Sequence, residues 1–216
     1  MKSFKLIIGL FFISHLLFSQ SDENAKTLLD KVSAKTKEYE NIFLEFTNSI
    51  ENQNQGLEKK ITKGSLFIKN DKYKIVFLGN EQLFDGEKIY RIINNDLAVE
   101  IYNPEDLEEE GLSPNDILTL YETGYEFKMG KLETFNQKTI QTIFLYPEKI
   151  EEPFKYIELG IDLNKHQITH FIQFGKNGTN TEYYINSFKT NLTDIDSLLI
   201  FNPLKYEKFE IIDLSE

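Results

Sequence analysis

Cysteine is absent from the 216 residues. Disulfides, thiolate metal sites and a thiol nucleophile are thereby excluded, and an exported form would have no cysteine to carry a lipid. The fold must hold by burial alone. Histidine is almost as scarce, with His15, His166 and His170 the full set. His170 falls on a predicted strand with Ile168, Ile172 and Phe174, where a hydrogen-bonded, partly buried ring is expected rather than a metal ligand. His166 falls in a turn and is expected to be solvated. No Gly-x-Ser-x-Gly elbow, phosphate-cradling glycine loop or EF-hand pattern occurs. The Glu108-Glu109-Glu110 run reads as a solvated loop. The expectation is therefore a protein that is not an enzyme, with no catalytic residue, no metal and no cofactor.

Positive charge is also in short supply, with 24 basic residues against 35 acidic ones and a net charge of −11. Removing Lys2 and Lys5 with a leader makes the balance more negative by two. Such a surface disfavours nucleic acid and anionic lipid surfaces, and it suits a soluble monomer. Long apolar runs are confined to the start. Lys2 and Lys5 precede an apolar stretch from Leu6 to Phe18, followed by Ser19 and Gln20 and a polar run. That is the layout of a cleavable secretory signal, and the stretch is shorter than the ~20 residues that span a bilayer. Residues 1–20 are read as the signal and 21–216 as one domain.

What is plentiful is short strands. Ala25, Leu28, Leu29, Val32 and Tyr39 recur at helical spacing and predict one opening helix. Roughly ten strands follow, among them alternating runs at 44–50, 73–77 and 125–129 and further strands at 139–146, 155–163, 167–174 and 181–188. Asp85-Gly86 marks a tight turn, and Ser113-Pro114-Asn115-Asp116 predicts the start of a second helix ending at Gly124. Phe209 to Leu214 predicts a last strand. Several strands are apolar on both faces. A helix must then cover the outside, or a ligand must occupy the inside of a wide barrel. Phenylalanine (18) and tyrosine (11) are abundant, and such side chains can line a pocket for acyl chains.

With this order of elements, the chain resembles the outer-membrane lipoprotein carrier (LolA) family. The resemblance rests on Tyr39-Glu-Asn-Ile-Phe-Leu-Glu-Phe46, Gly64-Ser-Leu-Phe-Ile-Lys69, Tyr73-Lys-Ile-Val-Phe77 and Leu83-Phe-Asp-Gly-Glu-Lys-Ile-Tyr90, together with the helix at Asp116 to Tyr121. It implies a mainly β fold: an incomplete antiparallel β-barrel, a single curved sheet with a helical lid. It implies a periplasmic carrier that takes acylated lipoproteins from an inner-membrane lipoprotein-releasing ABC transporter to the outer membrane, and it names no acceptor there. The alternative is a module of the same fold that senses lipoproteins or other lipids without transporting them. Phe46, Phe67, Tyr73, Ile75, Phe77, Phe84, Tyr90, Leu118 and Tyr121 are the residues expected to line or close the cavity. One departure stands out. Where many carriers have an arginine followed by proline that latches the lid, this chain has Lys69-Asn70-Asp71-Lys72.

Overall fold

A computed structural model describes residues 22–110, 124–135 and 137–215. The second helix expected from Ser113 up to Gly124, with Leu118 and Tyr121, falls on residues 113–123, which lie outside the described residues, as do residues 1–20, read as the signal.

Helix α1 (Glu23–Lys37) begins at Asp22, whose carboxylate accepts the N–H groups of Asn24 and Ala25 at 2.9 and 3.3 Å. Glu23 in the first turn and Lys35 and Lys37 in the last complement the helix dipole. Its apolar stripe, Ala25, Leu28, Leu29 and Val32, is buried. Asp22 is bound a second way. Its N–H donates to the Phe127 carbonyl, and its other carboxylate oxygen accepts from the Met129 N–H.

The strands are β1 (Ile42–Asn52), β2 (Leu57–Lys69), β3 (Lys72–Phe77), β4 (Asn80–Phe84), β5 (Ile89–Ile93) and β6 (Ala98–Tyr102). They continue as β7 (Tyr125–Phe135), β8 (Lys138–Pro147), β9 (Phe154–Asp162), β10 (Gln167–Gly175), β11 (Thr179–Thr190) and β12 (Glu210–Asp213). All twelve belong to one curved sheet in the order β12-β6-β5-β4-β3-β2-β1-β11-β10-β9-β8-β7. β7 and β12 are its two edges, so the barrel is open. Two antiparallel meanders, β2 to β6 and β7 to β10, meet at the β1–β11 seam. The expected open barrel is borne out.

The sheet departs from the expectation at its last strand. β12 pairs with β6 in parallel, Glu210 beside Ala98 through Asp213 beside Ile101. The segment before it explains why. After β11, Asn41 clasps Leu192 through two 2.9 Å hydrogen bonds. The chain then crosses the outer face of the sheet and reaches β6 from the far side.

That crossing covers half of the doubly apolar strands. Leu83, Ile195 and Leu199 are buried together on the outer face, with Phe67, Tyr90, Leu192, Leu198 and Phe201 packed around them. Phe201 stacks on Tyr90 at 4.2 Å between ring centroids. The larger core lies on the inner face, where α1 packs on β7 and β10 and shares one buried cluster with residues of β1 to β3, β8 and β9.

The turn at Asn70 has its own physical reason. Asn70 joins β2 to β3 with φ at 55°, in the left-handed region that asparagine tolerates better than most residues. An arginine there would meet backbone strain whatever it reached. Asn70→Arg is expected to cost about 1 kcal/mol of unfolding free energy and Asn70→Gly a few tenths or less. Urea denaturation of the two variants checks this; an arginine variant as stable as wild type would show that the turn can be rebuilt.

Candidate functional site

Directly opposed residues in antiparallel strands point to the same face, so the register sorts the aromatic residues. Phe46 faces Gly64, which faces Phe77; Leu66 faces Ile75; Ile68 faces Tyr73, which faces Phe84. These belong to the inner face with α1. The structure thus brings together five of the expected residues: Phe46, Tyr73, Ile75, Phe77 and Phe84. Phe67 and Tyr90 are elsewhere. Phe67 pairs with Phe43 across β1–β2, ring centroids 4.3 Å apart, and Tyr90 pairs with Leu83. Both lie on the outer face, under the C-terminal segment, so neither lines the inner cavity. Burial there pushes the Tyr90 phenol up to about 12, with Asp85 adding to the shift.

On the inner face the rings form a chain. Phe171 lies 6.0 Å from Tyr183, Tyr183 5.8 Å from Phe46, and Phe46 5.7 Å from Phe77. Tyr73 and Phe84 form a second pair at 5.8 Å. Phe46 and Tyr73 are buried, whereas Ile75, Phe77, Phe84, Phe127, Met129 and Tyr183 are only half-buried. A layer of large apolar side chains, half-covered, on the concave side of an open sheet can hold an apolar ligand by area alone. Burial raises the Tyr183 phenol, and burial followed by Glu152 raises that of Tyr125. Both hydroxyls therefore stay neutral at pH 7, and this part of the face carries no phenolate.

Two further features border the layer. Gly64 lets the Phe46 ring lie flat against β2, because an added Cβ would come 2.3 Å from its Cζ. A cleft of about 440 Å³ runs between α1 and β7, lined by Lys26, Leu29, Asp30, Ser33, Ala34, Lys37 and Phe127. Leu29 and Phe127 also touch the inner core, so the cleft opens beside the apolar layer. Its volume is in the range of small-molecule sites.

Sequence reasoning missed Phe127, Met129, Phe171, Tyr183 and Ile185 as part of this layer. The alternation of Thr181, Tyr183 and Ile185 carried the signal, but Asn186 is an extra residue in β11, where Ser187 faces Glu45 and Ile185 faces Phe46. That irregularity places Phe188, opposite Leu44, on the inner face despite its even number.

His170 is on the other side. Its ring lies over Gly160 on the outer face, 5.4 Å from the Tyr184 ring, with Nε2 3.5 Å from Glu158 and Nδ1 3.3 Å from the Thr169 hydroxyl. Ile168, expected beside it, lies in the inner core, because a register shift separates the two. His166 sits in a turn at φ 51°. Among the described residues there is no group of three or more histidine and acidic side chains that could hold a metal, and no helix is long and apolar enough to cross a membrane.

No protein-family model matches the sequence, and no curated protein sequence matches it. Solved structures do. An uncharacterized conserved protein from Thermus thermophilus is similar over 88% of this chain and 99% of its own, with 9% identity and a TM-score of 0.56. LprF from Mycobacterium bovis is similar over 85% of this chain and 99% of its own, with 12% identity and a TM-score of 0.51. A LolA superfamily protein from Nitrosomonas europaea is also a structural neighbour, over 82% of this chain and 97% of its own, at 8% identity and a TM-score of 0.43. At such identities the likeness to the first two is one of fold.

Proposed function

We propose that this chain is a periplasmic, non-catalytic binding protein for acyl chains, and that it carries acylated lipoproteins from an inner-membrane ABC transporter towards the outer membrane. One observation supports it above others. Ile75, Phe77, Phe84, Phe127, Met129 and Tyr183 remain half-buried on the concave face of a sheet that does not close. A protein with no use for that face would be expected to fill it. The signal-like leader and the acidic surface fit export and solubility. Tail recognition needs only apolar area, which tolerates cargo of many sequences.

The test compares the two faces of the sheet. Phe77→Ala removes tens of Å² of inner lining and should weaken a fluorescent fatty-acyl probe by about 1–2 kcal/mol. Tyr146→Ala, on a side chain of the outer face that is 37% exposed, should leave binding unchanged. Thermal melts of both variants separate lost lining from lost folding. Mass spectrometry of the protein recovered from periplasm should find triacylated protein bound. Absence of probe binding to the wild-type chain, with no acylated cargo recovered, would refute the proposal.

A further inference from the structure

Arg91 is the one arginine among the 24 basic residues of the chain, and it stands on the inner face. Along one row of the sheet, Leu66 faces Ile75, Ile75 faces Gln82, Gln82 faces Arg91, and Arg91 faces Glu100. The neighbouring row runs Ile68, Tyr73, Phe84, Ile89, Tyr102. The first row therefore changes character as it crosses from β3 to β6, from Leu66 and Ile75 to Gln82, Arg91 and Glu100, while the second stays apolar through Phe84 and Ile89 and ends on Tyr102.

The polar row is organised. Gln82 donates from its amide to the Tyr73 hydroxyl at 2.8 Å, in the apolar row beside it. The Arg91 guanidinium lies 5.1 Å from the centroid of the Tyr102 ring. The Tyr102 hydroxyl donates to Glu100 at 2.8 Å, and this bond, ahead of burial, raises its pKa. Gln82, Arg91, Glu100 and Tyr102 are all half-buried rather than sealed in the core. A guanidinium is always charged and presents a planar fork of donors that fits phosphate and carboxylate oxygens. Twenty-three lysines could have stood there, and an arginine does.

We propose that Arg91, assisted by Gln82, binds the phosphate or carboxylate head of an amphiphile whose acyl tail lies on Ile75, Phe77 and Phe84. This rests on the acyl-binding function proposed above and adds to it a charged head as part of what is recognised. Glu100 keeps Tyr102 in place and, as a neighbouring anion, limits how strongly the site holds a doubly charged head.

The test displaces a fluorescent fatty-acyl probe from the full mature chain with lauroyl glycerophosphate, laurate, uncharged monolauroyl glycerol and inorganic phosphate. Both anionic lauroyl compounds should compete roughly tenfold better than the uncharged one, the scale of one charge-assisted hydrogen bond. Arg91→Gln should reduce that preference to less than about twofold while leaving monolauroyl glycerol unchanged. Arg91→Lys should retain part of the preference, and Glu100→Gln should increase it. Equal competition by charged and uncharged compounds in the wild type would overturn the proposal without needing a folded variant. So would an equal loss for all compounds in Arg91→Gln, the mark of a structural role, or displacement by inorganic phosphate as effective as by the lauroyl phosphate. Failure of the wild type to bind the acyl probe at all would bring down the acyl-binding function itself, together with this addition to it.

Discussion

Leu199→Ala should lower the unfolding free energy by about 2–4 kcal/mol and leave acyl binding untouched. Leu199 is 1% exposed and sits at the end of a short 3-10 turn (Asp196–Leu199). It packs with Leu83 and Ile195 under the C-terminal segment. Truncating it loses the transfer energy of the side chain and leaves a cavity that the stiff sheet beneath cannot close. Five residues on, Leu204 is 74% exposed, and Leu204→Ala should stay within about 0.5 kcal/mol of wild type. Urea denaturation of the pair, with probe binding measured well below melting, checks both halves. A Leu199→Ala protein as stable as the Leu204→Ala one would mean that the segment rests on the sheet without contributing to the fold. A binding loss confined to Leu199→Ala would mean that the two faces of the sheet are coupled.

The second large effect concerns the contact between Gly64 and Phe46. Phe46→Ala should cost about 3–5 kcal/mol, because the ring is 7% exposed and packs on Phe77 and Tyr183. Gly64→Ala should cost about 1–3 kcal/mol, because its new Cβ would stand 2.3 to 3.0 Å from three atoms of the Phe46 ring. The ring is hemmed in by its own neighbours and cannot simply swing away. In the double variant the added methyl enters the space that the ring has left, so the combined loss should fall short of the sum by about 1 kcal/mol or more. Simple additivity in a double-mutant cycle would show that the glycine is there for the strand and not for the ring.

Most of the fold was legible because its strands alternate and its turns carry the residues that turns require. Tyr73, Ile75 and Phe77 alternate with Lys72, Lys74 and Val76, and Asp85 accepts the N–H groups of Glu87 and Lys88 at the tight turn that Asp85-Gly86 announced. The face on which a doubly apolar strand puts each aromatic was not legible. Phe67 and Phe84 look alike in sequence. One lies outside and one inside, because burial on the outer face is provided by Leu198, Leu199 and Phe201, more than a hundred residues away. The parallel β12 was hidden for the same reason, since its direction depends on the route of the preceding segment. The departure at Asn70 read as a missing latch; the local backbone supplies another explanation in a left-handed turn.

The β1–β11 seam also governs how this chain must fold. Its eleven pairings join residues 42–52 to residues 179–190, so the middle of the sheet is made from contacts of high sequence separation. Each meander can form from neighbours in sequence, but β1 and β11 cannot meet until most of the chain is available. Until then each half ends in a long unpaired edge, and β1 alternates Ile42, Leu44 and Phe46 along its inner face. Folding should therefore be slow for a domain of this size, with its greatest tendency to self-associate just before the halves join. Substitutions at the seam should slow folding more than substitutions within either meander, a difference that refolding kinetics would resolve.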